Sequence, residues 1–308
     1  MRSTILKLAT VTFLAAATAL ATTDASATTP RPVTPSGTGF QGVYGSIPAD
    51  QAEFLSSPDA IKSSVLSGAP TQIWETLEHG EYVECLDCIA LVAPLLYDAN
   101  AKNREIAAWW LRRRIFGVFG AGEVYEQTLN TLATDNDPLR RMYAANAVGE
   151  FLHGAGVPSV AQALLHDGDP RVRAASASAL GRLNDDGAGA LGAAMADTDA
   201  GVKLAALGAA GRINTFTSIA QVAALTSDPT AEVRRRAVEV LDGLQASDTI
   251  AAVAAAAQND MDARVRAVAC HALGVFGSSS VLQLLTNLSQ NDPDQFVRDE
   301  ASIALKRI

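Results

Sequence analysis

Apolar residues recur along most of this chain at the three- and four-residue steps of a helix, as in Val172, Ala175, Ala179 and Leu183. Small residues among them, such as Ala175, Ser176 and Ala179, let helices approach closely. A longer period lies over the helical one. DNDPLRRMYAANAVGEFL from Asp135 is followed by DGDPRVRAASASALGRLN from Asp167 and DTDAGVKLAALGAAGRIN from Asp197. Then come DPTAEVRRRAVEVLDGLQ from Asp228, NDMDARVRAVACHALGVF from Asn259 and NDPDQFVRDEASIALKRI from Asn291. The basic residue of each unit, Arg141, Arg173, Lys203, Arg234, Arg266 and Arg298, returns after 32, 30, 31, 32 and 32 residues. A fixed period of this length marks a repeat architecture.

Each unit reads as the second helix of a pair. An aspartate stands ahead of it to accept hydrogen bonds from first-turn N–H groups, and Pro138 and Pro170 take early positions where no intrahelical donor is lost. The first helices are expected over Gly156–Leu165, Ala188–Met195, Phe216–Leu225, Thr249–Ala257 and Ser278–Leu288. Neither helix of a pair can bury its apolar face alone, so the core comes from stacking. Upstream the pattern loosens. Asn100–Phe116 resembles another second helix with Arg104 near the anchor position, Cys85–Leu96 is its partner, and Gly117, Gly120 and Gly122 mark a longer connection. Ala69–His79 suggests one more helix and Ala49–Leu66 an N-terminal cap.

The first 27 residues carry the pattern of a secretory signal: Arg2 and Lys7, an apolar run from Leu8 to Ala21, and small residues Ala25 and Ala27 before a cleavage point. That run is too short to span a bilayer comfortably, so no membrane contact is expected after cleavage. Residues 28–47, rich in Thr, Pro, Ser and Gly, read as a flexible leader. The expected organisation is a signal peptide (1–27), the leader (28–47), an irregular helical cap with a divergent repeat (48–122), and six regular repeats (123–308). The expected compartment is the periplasm or the exterior.

The DxDPxVRxxA form of the units resembles the HEAT-repeat superfamily, including bacterial proteins with lyase-type HEAT-like repeats, over roughly Asp98 to Ile308. The resemblance implies an all-α fold, a right-handed superhelix of antiparallel helix pairs with a concave protein-binding face. One subset acts on the chromophores of light-harvesting proteins, but the repeats alone do not license that role. Metal-dependent hydroxylases of this kind use His-Glu pairs, and no His-Glu dipeptide occurs here. The net charge of −9, one unit more negative after signal removal, argues against a nucleic-acid partner.

Chemistry concentrates between Trp74 and Phe116. Cys85 and Cys88 stand one helical turn apart. A disulfide stapling the first turn of a helix is the leading reading in an oxidising compartment. A redox-active pair remains open, although the strand–helix context of such motifs is missing and Glu81, Glu84 and Asp87 disfavour a thiolate. So do a metal site completed by His79 and two buried free thiols. Ile89 after the second cysteine argues against covalent haem. Cys270 sits among core-type residues and reads as a small buried hydrophobe. Trp109 and Trp110, followed by Arg112, Arg113 and Arg114, are the candidate protein-binding anchor. One tryptophan is expected in the core and the other partly exposed. The competing reading has the arginines pairing with Glu78, Glu81 and Glu84. His79, His153, His166 and His271 are dispersed, no catalytic constellation, cofactor motif or metal pattern is legible, and the reading leans away from an enzyme. The function expected is an exported repeat scaffold for an unidentified protein partner. The alternative is a thiol–disulfide redox or cofactor-handling protein using Cys85 and Cys88.

Overall fold

The computed structural model describes residues 57–115, 122–184 and 187–308. The expected signal peptide, the leader, the first part of the expected cap (49–56), and Gly117 and Gly120 lie outside the described residues. The chain divides into two units, 1–47 and 48–308, and every described residue belongs to the second.

The described residues form sixteen α-helices and no strand, an α–α solenoid. An irregular section comes first: α1 (Pro58–Ser67), α2 (Pro70–His79), α3 (Leu86–Val92), a 3-10 turn over Ala93–Tyr97, and α4 (Ala101–Ile115). Six pairs follow. Their first helices are α5 (Gly122–Thr134), α7 (Val157–His166), α9 (Ala188–Ala194), α11 (Ile219–Ala224), α13 (Ile250–Asn259) and α15 (Leu282–Asn291). Their second helices are α6 (Pro138–Phe151), α8 (Pro170–Leu183), α10 (Ala200–Ala210), α12 (Ala231–Gly243), α14 (Ala263–Phe276) and α16 (Gln295–Leu305). Gly122, expected in a connection, opens α5.

Each first helix packs on the second helix that follows it, and consecutive second helices pack directly on one another. Small residues set that spacing. A Cβ placed on Gly181 would stand 2.8 Å from the Cα of Ala209, and one on Gly274 would stand 2.7 Å from the Cα of Ala304. Any side chain there would force the helices apart. Two apolar clusters result, one running from Leu132 to Ala304 and one from Ile61 to Phe151. Helix α6 feeds both: Ala144, Ala145 and Val148 enter the first, Ala147 and Phe151 the second.

The repeat aspartates and basic residues form a ladder. Asp137, Asp169, Asp199, Asp262 and Asp294 cap their helices, each accepting a first-turn N–H. Thr230 stands at the same place ahead of α12 without a side-chain cap bond. Two residues earlier in each turn, Asp167, Asp197, Asp260 and Asp292 accept a fork from the preceding unit. Nε and Nη2 of Arg141, Arg173, Arg234 and Arg266 reach both carboxylate oxygens at 2.6–2.9 Å. The remaining nitrogen, Nη1, donates to the carbonyl six residues back, as from Arg266 to Asp260 at 2.9 Å. Each guanidinium thus ties its own turn to the next. Lys203 makes the corresponding rung to Asp228 with a single ammonium. Arg104 breaks the series. It holds its own turn through the Asp98 and Ala99 carbonyls, but lies over the Tyr143 ring at 3.9 Å, while Asp135 pairs with Arg140.

The hydrogen bonds from Arg173 and Arg266 hold the Asp197 and Asp292 carboxyls below the ordinary range, against an opposing effect of burial. Such a group binds fewer protons folded than unfolded. Its stabilisation is full at neutral pH and is lost as pH falls through the folded value. The Arg266 and Asp292 side chains are only 11% and 3% exposed, so Arg266→Ala leaves a buried carboxylate without its partner. We expect this substitution to cost about 3 kcal/mol in urea unfolding at pH 7, with the deficit shrinking below about pH 4. Arg264→Ala, at a side chain 72% exposed, leaves the unfolding midpoint unchanged.

Candidate functional site

The irregular section is built around Trp110. Helix α4 turns this indole into the core, fully buried, and its Nε1 donates to the Gly80 carbonyl at 3.0 Å. Arg114, one turn on and 4% exposed, lies over the same ring. Its Nη2 donates to the carbonyls of Gly80, Glu81 and Val83 at 3.1, 2.8 and 2.8 Å, and its Nη1 to Trp110 at 2.7 Å. Together they fasten the loop between α2 and α3. Burial pushes the Arg114 guanidinium down to about 10, with Glu84 acting in the opposite sense.

This corrects the expected anchor at Trp110 and Arg114. Trp110 has no surface to offer a partner, and Arg114 spends its donors on backbone carbonyls rather than on Glu78, Glu81 or Glu84. Trp109 is half-buried and Arg112 partly exposed. Arg113 is exposed and lies over the Tyr82 ring at 4.4 Å, which leaves Tyr82 and Arg113 as the open aromatic–arginine pair of this section.

Cys85 and Cys88 come together. Cys85 caps α3, its sulfur accepts from the Cys88 N–H at 3.2 Å, and the two sulfurs stand 2.04 Å apart. Cys88 is fully buried, beside the Pro58 carbonyl at 3.8 Å, and Cys85 is partly exposed. Cys270 lies in the repeat core, where burial pushes its thiol up to about 12. Among the described residues no three His, Cys, Asp or Glu side chains are placed to hold a metal ion.

The histidines stay apart. His79 bonds the Glu75 carbonyl through Nδ1 at 2.7 Å, His153 accepts from the Ala155 N–H, and His166 lines a shallow surface hollow with Asp135 and Arg141. His271 lies 3.8 Å from Asp242 and 3.6 Å from Glu300, bridging α12, α14 and α16 on the second-helix face. Asp242 takes the register position that Gly181 and Gly274 hold in their own units.

Sequence reasoning missed a groove where α4, α6 and α8 lie side by side. It encloses about 270 Å³ and is lined by Arg104, Glu105, Tyr143, Asn146, Glu150, Ser178 and Arg182, with small apolar residues between them. The Arg104 guanidinium covers Tyr143, and Arg182 pairs with Glu150. Burial raises the Glu150 carboxyl above its ordinary value, and Arg182 opposes that. One signal was available: Glu150 and Arg182 each stand nine residues after their anchors, Arg141 and Arg173, so both occur at one register position in adjacent units. The arrangement offers paired charges and an aromatic edge for recognition, not a nucleophile with its base.

A family model described as HEAT repeats matches residues 157–224 and 219–306. No curated protein matches the chain. Among solved structures, YibA of Escherichia coli is 17% identical over 87% of this chain and 100% of its own, with a TM-score of 0.55. A chain of the complex in which Kap95p binds RanGDP is 16% identical over 83% of this chain, with a TM-score of 0.58, and this chain spans 41% of its length. At these identities the likeness is one of fold.

Trp110→Ala removes a fully buried indole and one of the two hydrogen bonds to the Gly80 carbonyl, leaving the one from Arg114. We expect a loss of about 3–5 kcal/mol in urea unfolding, against a much smaller change for Tyr82→Ala, whose residue is 69% exposed.

Proposed function

We propose, on the premise that this chain belongs to the HEAT-repeat superfamily, that it is an exported scaffold holding a protein partner against its second-helix face. The groove between α4, α6 and α8 carries the proposal. Arg104, Glu105, Asn146, Glu150, Ser178 and Arg182 reach it from three helices, of which α6 and α8 are held in register by the Arg141–Asp167 rung. Side chains positioned in advance lose little freedom on binding, which leaves more of the interaction energy as affinity. Mixed charges beside Tyr143 suit a polar peptide segment carrying both signs rather than a lipid or a nucleic acid. Kap95p, whose complex shares the fold, binds a protein, RanGDP. Export to the periplasm or the exterior rests on the pattern of residues 1–27, and with cleavage there the working chain begins at Thr28.

A photo-crosslinker placed at exposed Asn146 or Ser178 in the tagged protein tests this in cells, with mass spectrometry of the captured product. We expect one stoichiometric partner from these positions, none from exposed Gln258 on the first-helix side, and loss of capture when Ser178→Trp fills the groove without lowering the melting temperature. Equal capture from both faces, or capture indifferent to Ser178→Trp, overturns the assignment of the face.

A further inference from the structure

We propose that Cys85 and Cys88 form a thiol–disulfide exchange centre, in which the dithiol of a partner protein attacks Cys85. Three observations carry the idea. The two sulfurs differ in access: Cys88 is fully buried, whereas Cys85 opens into a surface cavity of about 450 Å³ lined by Pro58, Lys62, Glu84, Cys85, Leu86 and Asp87. One sulfur can be reached by an incoming thiolate, and the other is placed to leave. The cavity also holds a cation that sequence proximity does not reveal. The Lys62 ammonium, 23 residues before Cys85, lies 3.7 Å from the Asp87 carboxylate and offsets part of the negative charge around the pair. An approaching thiolate therefore meets a compensated surface rather than a purely acidic one.

Thirdly, a purely structural role is weakly supported. The bridge spans a sequence separation of only three residues, and the stabilisation from closing a loop shrinks with its length. Helix α3 is already held by Cys88, Ile89 and Val92 in the apolar cluster. The Cys85 sulfur also caps the helix by accepting the Cys88 N–H, a bond a free sulfur at the same place could keep. Opening the bridge thus asks little of the backbone.

The exchange balances as follows. One thiol of the partner loses its proton and attacks Cys85 Sγ. A sulfur–sulfur bond forms between them, the Cys85–Cys88 bond breaks, and its electron pair leaves on Cys88 Sγ, which takes up a proton. The partner's second thiolate then attacks its own sulfur in the mixed disulfide, and Cys85 leaves with the electron pair and is protonated. Two electrons pass from the dithiol to the cysteine pair, and the partner departs as a disulfide. The centre lies in the irregular section, apart from the groove between α4, α6 and α8, so it stands or falls separately from the scaffold reading.

The test uses the purified full chain, first oxidised with diamide and then, after its removal, treated with reduced dithiothreitol under native conditions, followed by alkylation and mass spectrometry. We expect Cys85 and Cys88 to change from a bridge to two alkylated thiols while circular dichroism and the melting curve are retained, with buried Cys270 unlabelled as an internal control. In single-cysteine variants, Cys88→Ser should take up an aromatic disulfide reagent at Cys85 roughly tenfold or more faster than Cys85→Ser does at Cys88. The proposal fails if no bridge forms, if it opens only in denaturant, if opening collapses the melting curve, or if the two sulfurs react at the same rate. Should a variant not fold, the wild-type experiment decides alone.

Discussion

Four guanidiniums, those of Arg141, Arg173, Arg234 and Arg266, register most of the stack. Each fork fixes the distance and the angle to the carboxylate of the next unit, and the third nitrogen fixes the turn from which it came. Apolar packing alone would tolerate sliding between neighbouring helices, because contact between small side chains is forgiving along a helix axis. The fork does not tolerate it. Once the second helices are held this closely, only glycine fits where Gly181 meets Ala209 and Gly274 meets Ala304, and polar side chains on the open face acquire fixed neighbours.

Much of this was legible because its chemistry recurs. Arg141 to Arg298 and the aspartates before them return at a nearly constant spacing, and their pairing follows once the helices are stacked. The helices fell close to where periodicity placed them. What recurs only once was harder. Trp109 and Trp110 part as expected, one into the core, but nothing in the sequence says which, and the structure buries Trp110 and leaves Trp109 half-buried. Arg114 was opaque for another reason. Its partners are the carbonyls of Gly80, Glu81 and Val83, which carry no residue identity, so no pattern of side chains announces them. The groove needed α4, α6 and α8 brought together, and Lys62 reaches the surroundings of Cys85 only through the fold.

The irregular section therefore differs from the repeats in kind. In the repeats, charge is spent holding neighbour to neighbour. At the junction, Arg104 turns from that task toward Tyr143, and the groove opens where the rule lapses. At Asp242 a carboxylate replaces glycine, and a cluster with His271 and Glu300 appears. Departures from a repeat are informative because the repeat states what structure alone requires, and what exceeds that requirement is available for other work.

The rung at Lys203 gives the solenoid a mechanical character as well. A fork resists both stretching and twisting, because two parallel bonds must be broken or sheared together, whereas an ammonium can swivel about a single contact. In a series of springs the softest one takes most of the deformation. Within the six regular repeats, load applied along the stack would concentrate between α10 and α12, leaving forked, stiffer segments on either side of that joint. A partner gripping both segments would register its fit there, as a change in pitch rather than as a rearrangement within any repeat.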